Sequence, residues 1–168
     1  MQEIVLDWEK LVDSEGEKLL NYINKIIGEI DNSRDILQET FLACYKNIDT
    51  IDEKYLLPWL YRTAHNKAIN FVKKNKRFIT GEMPEQVHFD NVEEELRQQK
   101  RTEIIRACFN KMKPRYAMVL DMQFYQGKSY KEISETTGMT ISAIESVLVR
   151  AKKECKKILQ DMSGEDVF

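Results

Sequence analysis

The chain has 168 residues, 42% hydrophobic and 32% charged, enough to bury a core in one full domain or two small ones. No run approaches the length of a membrane span, and the acid-rich first thirty residues argue against a secretory signal. The net charge of −2 conceals a segregated pattern, with residues 1–53 summing to −8, 55–81 to +6 without one acid, and 146–160 to +4.

The first helix is predicted over residues 17–29, where Leu19, Leu20, Ile23, Ile26, Ile27 and Ile30 recur at steps of three and four. Asn32 or Ser33 can cap a second helix running to Lys46. Its side bearing Asp35, Gln38, Glu39, Leu42 and Lys46 is an acidic surface, either solubilising or shaped for a basic partner helix. A short polar loop follows over 48–54, and Pro58 suits the first turn of a third helix reaching Arg77.

That third helix is amphipathic. Leu57, Leu60, Tyr61, Ala64, Ala68, Phe71 and Val72 share one stripe. The other face holds Trp59, Arg62, Asn66, Asn70, Lys73 and Arg77, with Lys74 and Lys76 beside it and no carboxylate. Trp59 and Tyr55 next to Arg62 and Asn66 can stack on unpaired bases, or Trp59 can pack against the preceding helices. Residues 78–91 carry no helical period and read as a linker.

Helical pattern resumes near Val92 and runs to Met112, and Pro114 starts another helix that ends before Gly127. Ser129-Tyr-Lys-Glu132 is a capping box for a short helix to Thr137. Gly138 supplies the turn, and Thr140 caps a last helix to Gln160. Helix, glycine turn and helix at this spacing predict a helix-turn-helix. Ser142, Glu145, Ser146, Val149, Arg150 and Lys153 form its outer face, with Lys152, Lys156 and Lys157 available to phosphates. An ordinary helical hairpin with a solvated basic face fits the same spacing.

Cys44, Cys108 and Cys155 are odd in number, distant in sequence and without a CxxC pair, and His65 and His88 complete no ligand set. They read as small buried hydrophobes in a reducing cytoplasm, with no metal or cofactor expected. No phosphate-binding loop, HExxH or nucleophile–histidine arrangement is present, so no enzyme activity is expected. Six glycines and three prolines point to an all-α chain.

Three stretches in this order resemble bacterial RNA polymerase sigma factors of the sigma-70 superfamily, extracytoplasmic-function type. Asp35-Ile-Leu-Gln-Glu-Thr-Phe41 is similar to the family's polymerase-docking helix, which implies contacts from Asp35, Gln38, Glu39, Phe41 and Leu42. Pro58-Trp-Leu-Tyr-Arg-Thr-Ala-His-Asn66 with Lys73 to Arg77 is similar to the helix that opens and reads the −10 element. The resemblance implies a pocket between the loop Ile48–Lys54 and this helix for an extruded base, with Arg62, His65 and Asn66 at reading positions. Pro114 through Lys153 is similar to the domain that reads the −35 element. Glu145, Val147 and Val149 depart from the usual basic or polar residues, and Ser134 and Thr137 from the usual small residue and leucine.

The expected architecture is two small helical domains on a tether: 1–77 (region 2-like), 78–99 (linker), 100–162 (region 4-like) and a tail over 163–168. The expected function is a cytoplasmic sigma factor, without membrane insertion, that binds core RNA polymerase and promoter DNA and answers to an anti-sigma factor. A helix-turn-helix regulator that never meets polymerase is one alternative. A degenerate sigma-like interaction protein, favoured slightly by Glu145 and Val149, is another.

Overall fold

A computed structural model describes residues 6–75 and 92–163. Seven α-helices span the described residues: α1 (Trp8–Ile27), α2 (Ile30–Asn47), α3 (Leu56–Asn75), α4 (Val92–Lys111), α5 (Pro114–Leu120), α6 (Tyr130–Thr137) and α7 (Ile141–Ser163). The all-α expectation holds, and the differences lie at helix ends. Helix α1 begins nine residues ahead of the predicted start, because Asp7 caps it by accepting the Lys10 N–H at 3.1 Å. It ends on Gly28, at φ 80°, whose N–H bonds the Asn24 carbonyl at 2.8 Å.

Neither expected cap starts α2. Both residues lie inside the helix: Asn32 donates to the Glu29 carboxylate, and the Ser33 hydroxyl bonds the Glu29 carbonyl at 2.6 Å. The loop after α2 winds into two 3₁₀ turns, Ile48–Thr50 and Glu53–Tyr55, and Pro58 falls in the first turn of α3. Residues 92–99 of the expected linker are the first two turns of α4. Residues 78–91, with Glu82, Glu85 and Asp90, and the tail 164–168 lie outside the described residues.

The helix-turn-helix forms as its caps dictate. Ser129 Oγ accepts the Glu132 N–H at 3.1 Å, and the Glu132 carboxylate accepts the Ser129 N–H at 2.7 Å. Gly138 takes φ 72°, and Thr140 Oγ1 receives the Ala143 N–H at 3.1 Å. Ahead of this motif, α5 widens into a π turn over Asp121–Tyr125. Thr137 is buried and returns its hydroxyl to the Ile133 carbonyl at 2.7 Å, so a polar residue fills the core there without an unsatisfied group.

Helices α1, α2 and α3 pack on one another, and α5 and α6 pack on α7. The two groups touch each other. Helix α4 lies along α1, and α5 lies along α3. Leu19, Tyr22, Ile23 and Leu60 from the first group and Phe109, Ala117, Val119 and Met122 from the second belong to one buried cluster. Burial of this continuous apolar surface is the main term holding the fold together. The cysteine expectation changes too: the Cys108 and Cys155 thiols are hydrogen-bonded to each other where α4 meets α7. That contact holds Cys108 below the ordinary thiol value and Cys155 above it, and Cys155 is only half-buried. Burial alone pushes the Cys44 thiol up to about 11.

Candidate nucleic-acid and polymerase interfaces

On α3, the inner stripe buries Leu60, Tyr61, Ala64 and Ala68 and turns the opposite side to solvent. Arg62, Asn66, Asn70, Lys73 and Lys74 are exposed on that side. Spaced along about 18 Å of helix, they make a cationic, amide-bearing ridge suited to a phosphate backbone. Lys76 and Arg77 lie outside the described residues. Trp59 is half-buried against the core, so only part of its indole is available to a base. Tyr55 is exposed in the turn before α3, with the Lys54 ammonium 5.4 Å from its ring centre.

His65 does not join this ridge. It is 2% exposed, and its Nδ1 lies 2.7 Å from the Tyr22 hydroxyl. The ring also bonds the Met112 backbone. Burial pushes the His65 pKa down to about 4, against a smaller upward pull from the Met112 bond. A neutral, sealed imidazole reads no base, and its expected role in the −10 contact is withdrawn. The signal was in the spacing: His65 stands four residues after Tyr61 and eight after Leu57, on the inner stripe.

On α7, Ile144, Val147, Leu148 and Ala151 are buried, whereas Ser142, Glu145, Ser146, Val149, Arg150, Lys152 and Lys153 are all exposed. Val147 is therefore packing. Val149, 67% exposed, is an apolar side chain in the middle of a polar ridge. The Lys152 ammonium sits 5.4 Å from the centre of the exposed Phe124 ring. A helix offering small hydroxyls, one carboxylate, one exposed valine and three cations has the shape and chemistry to enter a major groove.

On α2, Asp35, Gln38, Glu39 and Leu42 are exposed, Leu42 at 54%. Phe41 instead packs half-buried against the core. Glu39 is 3.7 Å from the Lys67 ammonium of α3, a solvent-exposed pair worth little to stability. Exposed Tyr45, 5.4 Å from the Trp8 ring, extends the apolar part of this side. Neither aromatic featured in the expected contact set, since Trp8 precedes the helix as it was predicted.

Between the two helix groups runs a polar seam that sequence periodicity does not reveal. Lys25 Nζ meets Asp121 Oδ1 at 2.9 Å and lies 4.1 Å from the Tyr125 ring centre. Asp121 is 1% exposed. Gln126 Nε2 donates to Asp121 Oδ2 at 2.8 Å and to the Tyr61 hydroxyl at 2.7 Å. Asn110 Nδ2 donates to the Ile26 carbonyl at 3.0 Å. Tyr22 stacks edge-on with Phe109, centres 5.8 Å apart. Burial raises the Tyr22 and Tyr61 phenols well above their usual pKa, and Asp121 raises them further, so both stay neutral donors or acceptors.

Comparison with known proteins adds a family to this geometry. Residues 11–78 match the family model for Sigma-70 region 2, and residues 102–155 match that for Sigma-70, region 4. The chain is 30% identical over 155 residues to RNA polymerase sigma factor SigZ of Bacillus subtilis strain 168, covering 90% of this chain and 86% of the relative. It is 27% identical over 128 residues to the ECF RNA polymerase sigma factor SigM of the same organism, covering 75% and 78%. The solved structure of CnrH in complex with the cytosolic domain of CnrY has a similar fold, with a TM-score of 0.52 at 18% identity over 91% of this chain and 87% of that one.

Proposed function

This chain belongs to the sigma-70 family of RNA polymerase sigma factors, in its extracytoplasmic-function branch, and from that premise we propose how its surfaces divide the work. It binds core RNA polymerase and directs promoter recognition in transcription initiation. Residues 1–77 serve polymerase docking and the −10 element, and 100–162 serve the −35 element. Asp35, Gln38, Glu39 and Leu42 of α2 dock on a basic coiled coil of the core enzyme. Arg62, Asn66, Asn70, Lys73 and Lys74 hold the opened −10 strand, while the free part of Trp59 with Tyr55 stacks on its bases.

Ser142, Ser146 and Arg150 face −35 base edges or phosphates, and Lys152 and Lys153 neutralise phosphates. Glu145 can accept from a cytosine amino group, and Val149 can touch a thymine methyl. The chain performs no catalytic step of its own. An anti-sigma factor is its expected regulator. No helix among the described residues is long and apolar enough to cross a membrane.

The observation that carries this reading is the order in one chain of a region 2 match bearing an exposed cationic α3 and a region 4 match bearing an exposed cationic α7. Assembly with core polymerase followed by sequencing of bound DNA tests it. The triple variant Asp35→Ala, Gln38→Ala, Glu39→Ala should lose core binding and keep its helices. The triple variant Arg62→Ala, Asn66→Ala, Lys73→Ala should keep core binding and lose the enriched −10 sequence. Intact DNA enrichment in the first variant would favour the polymerase-independent regulator. Absence of salt-dependent DNA binding by the unaltered chain would favour the interaction module, towards which the exposed Glu145 and Val149 lean.

A further inference from the structure

The three cysteines occupy different settings, and two of them meet. Cys44 is fully buried on α2, and burial alone shifts its thiol. Cys108, in the last turn of α4, and Cys155, in the second half of α7, are in thiol-to-thiol contact where those helices pack. Cys108 is 5% exposed and belongs to the buried cluster, whereas Cys155 packs on the edge of that cluster and is half-buried. Tyr125 of the π turn is close enough for both sulfurs to act on its phenol, and its ring stands edge-on to Phe109, centres 6.3 Å apart.

Packing does not call for this pairing. A buried cysteine fills space as a small hydrophobe, and a thiol is a weak donor and a weak acceptor, so the contact adds little stability. Its chemical consequence is larger. Whichever sulfur loses its proton accepts the S–H of the other, so the pair holds a thiolate that the sealed Cys44 cannot. The charge is favoured on Cys108, where Lys111 also attracts it, and a proton shift along the contact moves it to Cys155. There a small oxidant has access, with the second thiol already in place behind it. A reachable thiolate beside a resolving thiol is the arrangement that oxidises selectively.

We propose that Cys108 and Cys155 form an oxidation site, at which hydrogen peroxide converts the thiol pair into a disulfide that staples α7 to α4 and weakens the grip of α7 on DNA. The Cys155 thiolate attacks one peroxide oxygen and the O–O bond breaks. The departing hydroxide takes up the proton that Cys155 had lost, leaving a sulfenic acid and one water. The Cys108 sulfur then attacks the Cys155 sulfur. The S–S bond forms as the S–O bond breaks, and the hydroxyl leaves as a second water with the Cys108 proton. Two thiols are oxidised and one peroxide is reduced to two waters.

The bond would act on the groove-facing surface because that surface lies next to it in the same helix. Cys155 stands two residues after Lys153 and three after Lys152, whose ammonium rests on the Phe124 ring beside Tyr125. A disulfide is about 2 Å long, shorter than a hydrogen-bonded contact between two sulfurs. Forming it draws this part of α7 onto α4 and moves Arg150, Lys152 and Lys153 with it. The effect on DNA rests on the −35 reading above, whereas the oxidation rests on the thiol contact.

The test treats the reduced full chain with hydrogen peroxide and follows it by mass spectrometry. Each chain should lose two hydrogens, and tryptic digestion should yield residues 107–111 joined to residues 154–156, with Cys44 still a free thiol and the link reversed by dithiothreitol. In Cys108→Ser the second thiol is gone, so dimedone should trap a sulfenic acid on Cys155. The oxidised wild type, freed of peroxide and then assembled with core polymerase, should bind its enriched DNA about tenfold more weakly than the reduced chain, the scale of one lost base contact. Peroxide should leave DNA binding by Cys155→Ser unchanged. A wild-type chain that forms no link, or that oxidises Cys44 to the same extent, overturns the oxidation site. A link that forms with DNA binding unchanged overturns its control of α7. Failure of the promoter reading would appear separately, as a link that forms in a chain that enriches no sequence in either state.

Discussion

The imidazole of His65 is enclosed by the Tyr22 hydroxyl and the Met112 backbone, and its lowered pKa links packing to pH. Above about pH 6.5 the ring is neutral whether packed or exposed, and packing has its full strength. As pH falls from 6.5 towards about 4, the unfolded ring takes a proton that the packed ring refuses, and stability is lost. The full loss is about 3 kcal/mol. Thermal unfolding across this window should therefore show a steeper decline in the wild type than in His65→Gln; equal declines would contradict the assignment. Among the cations, Lys73→Ala with Lys74→Ala should lower the salt slope of DNA binding by about two while leaving helical content unchanged. The exposed members of the α3 ridge were legible because an acid-free polar face is visible in the sequence alone. His65 was misread because the family motif outweighed its four-residue spacing from Tyr61.

Helix ends show how far local chemistry carries. The box at Ser129 and Glu132, the turn at Gly138 and the Thr140 cap were all legible, because each is a short-range device made by residues within a few positions of one another. Ser129→Ala should cost about 1 kcal/mol, read as a lower denaturant midpoint with an unchanged slope. The start of α1 was missed because Asp7 opens a stretch from Trp8 to Gly16 that lacks a dense apolar stripe, and tertiary packing supports those turns instead. Gly28 ends that helix for two reasons. It adopts φ 80°, and the Arg106 guanidinium of α4 lies directly over it. Gly28→Ala therefore forces a left-handed backbone on a residue with a Cβ and displaces the flexible Arg106 end, and a loss of about 1–2 kcal/mol is expected from the same unfolding measurement.

At the scale of the whole molecule, the two helix groups pack against each other in one buried cluster. That was not legible. Lys25 and Asp121 lie far apart in sequence, each on a helix whose pattern is explained without the other, and nothing in periodicity pairs them. Asp121→Ala should destabilise the fold by about 3 kcal/mol, because it leaves the largely buried Lys25 ammonium uncompensated. An unchanged midpoint in that variant would mean that the seam carries no stability. Two cationic patches, by contrast, were readable from charge alone, and among the described residues Arg62, Lys73, Lys74, Arg150, Lys152 and Lys153 are exposed. On the reading proposed above, this chain directs core polymerase to promoters through α3 and α7. Multiround runoff transcription with core enzyme on a genomic-fragment library measures it most directly. Discrete transcripts that require the chain, and that disappear with the α3 triple variant, are predicted. Transcripts identical with and without the chain would contradict it.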